Sequence, residues 1–168
     1  VTFKGDSDSE VLINAWALWG EEVVKKLNGI FAFSIWDRKT KDLYLVRDRF
    51  GVKPLFYFHQ NKRLIFASEV KPLIKTNLIN KDISYKALHH YTYFGATHSG
   101  QTLFNEIRQV KPAEILRFNG KITNSNIFWN IENISIANNK IENISIAIRT
   151  LMESAVKEQL VSDVPVGV

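Results

Sequence analysis

Residues 30–36 read IFAFSIW, apolar at every position but Ser34. A strand with one face in water alternates apolar and polar residues, so this run calls for cover on both faces and therefore for a layered fold. Runs at 43–46, 55–58 and 64–67 are likewise rich in aromatic and β-branched residues. They are separated by the polar stretch 37–42, a loop carrying Gly51 and Pro54, and Gln60-Asn61-Lys62. Four antiparallel strands joined by short loops are predicted.

Helical spacing brackets the strands. From Asp8 to Leu27, Val11, Leu12, Ala15, Trp16, Leu18 and Trp19 recur with helical period, Gly20 interrupts, and Val23, Val24 and Leu27 resume, which predicts two short helices. Ser7 and Glu10 stand at capping-box spacing. A short helix with Pro72 in or near its first turn is expected after Glu69, and another over 84–94 with Ala87, Leu88, Tyr91 and Phe94 on one side. Residues 113–118 and 121–128 flank Asn119-Gly120 and predict a hairpin. IENISIA then occurs twice, at 131–137 and 141–147. Two copies are too few for a solenoid. The segment reads as a linker whose second copy enters a helix striped by Ile144, Ile148, Leu151, Met152, Ala155, Val156 and Leu160.

Composition excludes several function classes. The charge of +5 comes from 22 basic and 17 acidic residues, dispersed rather than massed, which describes a solvated surface better than a nucleic-acid footprint. An RNA-recognition strand sets exposed aromatics beside basic residues, and NGIFAFSIW has no basic residue before Arg38. With no cysteine there is no disulfide or thiolate metal site, and His59, His89, His90 and His98 lack metal-ligand spacing. No apolar stretch approaches the roughly 20 residues of a membrane span. The expectation is a cytoplasmic protein with small-molecule partners, no nucleic acid and no membrane, for which a homo-oligomer stays open.

Five spaced segments carry a resemblance: SDSEV at 7–11, LNGIFAFSIWD at 27–37, RDRFGVKPLFYF at 47–58, ASEVKPLI at 67–74 and SDVPVGV at 162–168. Together they resemble the glutamine-hydrolysing asparagine synthetases. The resemblance implies an α+β fold in which 1–130 is the later part of an N-terminal-nucleophile αββα four-layer sandwich. Residues 131–142 would be a linker, and 143–168 the start of an α/β synthetase domain. The implied enzyme is an ATP-dependent asparagine synthase, in which glutamine hydrolysis supplies ammonia to an adenylated aspartate and ATP and Mg act in the complete protein. Amidation of another acceptor, a sugar, peptide or β-lactam precursor, and a non-catalytic interaction domain are the alternatives.

Residue by residue, the resemblance implies that Asp8 holds the α-ammonium of glutamine, a task suited to a carboxylate at a helix start. RDRFGVKPL is expected to be structural. Gly51 permits a positive backbone angle and Pro54 stiffens the exit, while Asp48, flanked by Arg47 and Arg49, is a poor general base. Glu69 is expected to serve the dipole of the helix it heads. No catalytic, metal or ATP-binding residue is expected within the chain, because the nucleophilic cysteine would precede Val1 and the Gly-rich ATP loop would follow Val168. One departure stands out. Such enzymes tend to have Pro-Gly where this chain has Pro112-Ala113, and an alanine tolerates a positive angle badly, so a different turn is expected there.

Overall fold

The structure is a computed structural model that describes residues 3–5, 7–98, 100–133 and 141–160. The chain divides into two compact units, Val1–Asn133 and Ile134–Val168. The first is mixed α and β with antiparallel sheets.

It opens with α1 (Asp8–Trp19), which ends at Gly20 with a φ of 56°, and passes into a 3₁₀ helix over Gly20–Lys25. Both helical segments fall where the spacing put them. The four predicted strands follow as β1 (Ala32–Asp37), β2 (Asp42–Arg47), β3 (Phe56–Gln60) and β4 (Arg63–Ala67), then α2 (Val70–Lys75) and α3 (Tyr85–Phe94). Pro72 sits in the first turn of α2, and Ser84 caps α3 by accepting the Ala87 amide at 3.3 Å. A strand that the sequence did not reveal, β5 (Ile107–Gln109), precedes β6 (Glu114–Phe118) and β7 (Ile122–Ile127). Three residues are too short to display a period.

One sheet has the order β1-β2-β6-β7 and the other β4-β3-β5, all pairs antiparallel. Three apolar clusters show how they are covered. Val23, Val24, Tyr44, Val46 and Ile115 pack with Ala15, Trp16 and Phe33, joining the first helical segments to the first sheet. Leu45, Leu55, Val110 and Leu116 pack with Leu43, Tyr57 and Phe118 from both sheets. Phe58, Leu73, Ile79 and Ile107 pack with Ile65, Val70 and Ile74, joining the second sheet to α2. The opposite faces of β2 feed different clusters, with Tyr44 and Val46 on one side and Leu45 on the other.

Several expectations are corrected. The strand covered on both faces is β2, buried at five of its six positions, whereas β1 lies at a sheet edge with Ser34 and Trp36 exposed. The capping box is not reciprocal: Ser7 Oγ accepts from the Ser9 amide at 3.2 Å, and Glu10 reaches the Lys4 and Gly5 amides at 2.8 and 2.9 Å. The β6–β7 connection has three residues, 119–121, with a register irregularity at Arg117/Phe118. Only Gly120 among them has positive φ, 92°, so the two-residue mirror-image turn favoured by Asn-Gly is absent. On α3, Ala87 is buried, but Leu88, Tyr91 and Phe94 are exposed.

Ala113 adopts a φ of 56° after all. The turn keeps the positive angle at alanine's expense, held by an amide bond to the Asp48 carbonyl at 2.8 Å and a carbonyl bond from the Phe128 amide at 2.9 Å.

In the second unit, α4 (Ile141–Gln159) takes in the second IENISIA copy, as expected. Its stripe is exposed at Ile144, Ile148, Leu151, Met152, Val156 and Leu160. SDVPVGV and the stretch 134–140 lie outside the described residues.

Candidate functional site

The start of α1 is organised so that one carboxylate is left over. Ser7 spends its hydroxyl on the Ser9 amide. Glu10 spends both carboxylate oxygens on the amides of Lys4 and Gly5 and so folds the preceding segment against the helix start. Asp8, the first residue of α1, is exposed and makes no hydrogen bond or ion pair among the described residues. It stands at the positive end of the helix dipole, where a carboxylate is favoured and free to accept a cationic group. The structure thus separates capping from an unengaged acid, although not by the reciprocal box that the sequence suggests. A groove of about 650 Å³ runs between the far half of α1 and the β1–β2 hairpin, with Trp16, Trp36 and Tyr44 in its walls. Asp8 is not among them.

The loop after β2 is built from its own charges. Asp48 is 2% exposed. Its carboxylate accepts from the amides of Phe50, Val52 and Lys53 at 3.1, 3.0 and 3.1 Å. Arg47 crosses the same loop, donating to the carbonyls of Lys53 and Val110 at 2.7 and 2.6 Å and to that of Gly51. Arg49 turns back to the Leu27 and Lys25 carbonyls at 2.6 and 3.0 Å, closing the exit of the 3₁₀ helix. All three side chains of the trio bond to backbone groups. Gly51 has a φ of 64°, and a methyl group there would lie 2.9 Å from the Arg47 guanidinium carbon and 3.0 Å from the Pro112 ring. The side chains of the motif hold its own loop together, and both Asp48 oxygens accept backbone amides. Glu69 precedes α2 without a side-chain cap bond.

Other polar clusters were invisible in the sequence. Asp42 and Arg117 form an ion pair at 2.7 Å. The Arg117 guanidinium, with help from Thr40, holds the Asp42 carboxyl below its ordinary value. Glu114, 4% exposed, accepts from the Lys111 amide at 2.6 Å and from the Ser125 hydroxyl. Partners separated by as many as 75 residues leave no local signal, since β2 and β6 meet only in the folded sheet. No group of three His, Cys, Asp or Glu side chains among the described residues is placed to hold a metal ion.

Comparison with known proteins places this geometry in context. A family profile described as glutamine amidotransferase domain matches residues 1–129. The chain is 36% identical over 165 residues to asparagine synthetase [glutamine-hydrolyzing] 3 of Bacillus subtilis, covering 98% of this chain and 27% of that protein. It is 30% identical over 165 residues to putative asparagine synthetase [glutamine-hydrolyzing] 2 of Methanocaldococcus jannaschii, covering 96% of this chain and 32% of that protein. A second protein of that archaeon, putative asparagine synthetase [glutamine-hydrolyzing] 1, is 48% identical over 71 residues, 42% of this chain and 13% of its own length. The chain therefore spans roughly a quarter to a third of the two relatives it matches along nearly its whole length.

Proposed function

The chain belongs to the glutamine amidotransferase domain family, and from that premise we propose that it is the glutamine-recognising part of an ATP-dependent, glutamine-hydrolysing asparagine synthase. The observation that carries the reading is the alignment of 98% of the chain with a protein of that name. In this reading residues 1–130 complete an αββα sandwich of the N-terminal-nucleophile type. The three stacked apolar clusters, helix to sheet, sheet to sheet and sheet to helix, support it. Residues 131–142 are the linker, and 143–168 open the synthetase domain.

Glutamine arrives as a zwitterion, and its α-ammonium needs a fixed anion. Asp8 supplies one: its backbone is fixed by the capped start of α1, its carboxylate is unengaged among the described residues, and it stands at the positive end of the helix dipole. The 168 residues contain no cysteine, so the thioester nucleophile is contributed from elsewhere in the polypeptide. ATP and Mg belong to the synthetase domain; the described residues hold no cluster for the metal, and no step of the chemistry is assigned to this chain. Its substrates and products are small molecules, aspartate being the acceptor, and its site of action is the cytoplasm.

The test is made in the complete gene product. Losing a charge-assisted hydrogen bond costs about 1.5–3 kcal/mol, so Asp8→Ala is expected to raise the glutamine KM by about 10–100-fold while synthesis with added ammonia is preserved. Equal loss with both nitrogen donors overturns the assignment. Failure of the unaltered protein to make asparagine from either donor overturns the function itself.

A further inference from the structure

A pocket of about 350 Å³ is lined by Tyr57, His59, Glu106, Arg108 and Ile122. Tyr57 and His59 are alternate residues of β3, and Tyr57 is in register with Arg108 on β5, so these side chains leave the second sheet on one face. That face is turned toward the first sheet. Tyr57 and Ile122 pack on the cluster between the sheets, and the His59 ring meets the Phe118 ring edge-on at 5.5 Å. The pocket is the open rim of the space between the two sheets.

Its polar groups have capacity to spare. Arg108 makes no side-chain hydrogen bond or ion pair among the described residues, and neither does the half-buried Tyr57 hydroxyl. Glu106 commits Oε2 to the Asn80 amide at 2.8 Å and leaves Oε1 unengaged among the described residues. His59 commits Nε2 to the Asn61 carbonyl at 3.0 Å. Glu106 and Arg108 are two residues apart, about 7 Å in an extended chain, and line one cavity without pairing with each other. Glu114, the other acid near Tyr57, is occupied by the Lys111 amide and Ser125.

Two unpaired charges of opposite sign flanking a cavity are complementary to a ligand that carries both signs. The volume is at the small end for ligand pockets. We propose that this rim binds a free α-amino acid. Arg108 and the Tyr57 hydroxyl receive the carboxylate, Glu106 Oε1 receives the ammonium, and the side chain lies along Ile122 and the His59 ring. Asp8 is not among the walls, so the proposal stands or falls separately from the glutamine site.

Titration calorimetry and thermal shift of the intact protein test it, with L-valine and glycine as probes and propionate and propylamine as single-charge controls. The amino acids are expected to bind and raise the melting temperature, and each control to bind at least about tenfold more weakly. Arg108→Gln and Glu106→Gln should each weaken binding by about 10–100-fold, Tyr57→Phe less, and Asp8→Ala not at all. No binding at millimolar concentration overturns the proposal, as does propionate binding as well as the amino acids. Loss of binding in Asp8→Ala overturns it too, because the ligand is then at the helix start. If Arg108→Gln does not fold, Arg108→Lys, which keeps the charge but not the planar fork, decides: unchanged affinity overturns the assignment of the carboxylate.

Discussion

Gly51 and Ala113 sit at neighbouring turns that share the Asp48 carbonyl, which accepts from the amides of both. Gly51 needs its positive angle, and a side chain there meets the Arg47 guanidinium and the Pro112 ring. Strain of about 1–2 kcal/mol in the left-handed region adds to a displaced Arg47 that holds three carbonyls. Gly51→Ala is expected to destabilise by about 3 kcal/mol or more, read from denaturant unfolding. Ala113 is the converse, a side chain where glycine fits better. Glycine relieves about 1–2 kcal/mol of strain and costs about 0.5–1 kcal/mol in chain entropy. Ala113→Gly should therefore leave the midpoint unchanged or raise it. Ala113→Val, branched at the same angle, should lower stability by about 2 kcal/mol or more. Both residues were legible as turn positions, but only the fold revealed that alanine pays for the angle instead of changing the turn.

Among the elements, β1 departs furthest from its sequence. Its apolar run matches a central strand, yet among the described residues it pairs only with β2 and its other edge has no partner. Trp36 is 52% exposed and Ile30 45%. An apolar edge strand without a charge before Asp37 is a template for pairing with another chain. The 168-residue chain by itself is expected to associate in a concentration-dependent way, and Trp36→Lys to shift it toward monomer in sedimentation velocity. Monomer at all concentrations for both would refute this. By contrast α2, α3 and β2–β4 lie where period and punctuation put them, because local chemistry suffices: Ser84 caps its helix, and Pro72 occupies a first-turn position that needs no amide partner.

At the scale of the molecule, the first sheet is tied together by the ion pair from Asp42 on β2 to Arg117 on β6. Arg117 lowers the Asp42 pKa from its ordinary value of 3.8. A lowered carboxyl stabilises the folded state above that ordinary value, and the contribution is lost as pH falls through the folded one. The melting-temperature gap between the native protein and Asp42→Asn should be constant above about pH 5 and close as the pH drops below about 4. A gap that persists in acid would mean that the pair's charge is not what matters.

The sequence by itself determined the antiparallel strands other than β5, the helices and the family, since period, turn chemistry and motif spacing are properties of neighbouring residues. It also singled out Asp8, though not why Asp8 is available. That depends on Glu10 turning back to Lys4 and Gly5. The tertiary structure alone decided which strand is central, where β5 adds, and which charges meet across the sheets. Apolarity says that a strand wants cover, but only the pairing of distant segments says which strand receives it.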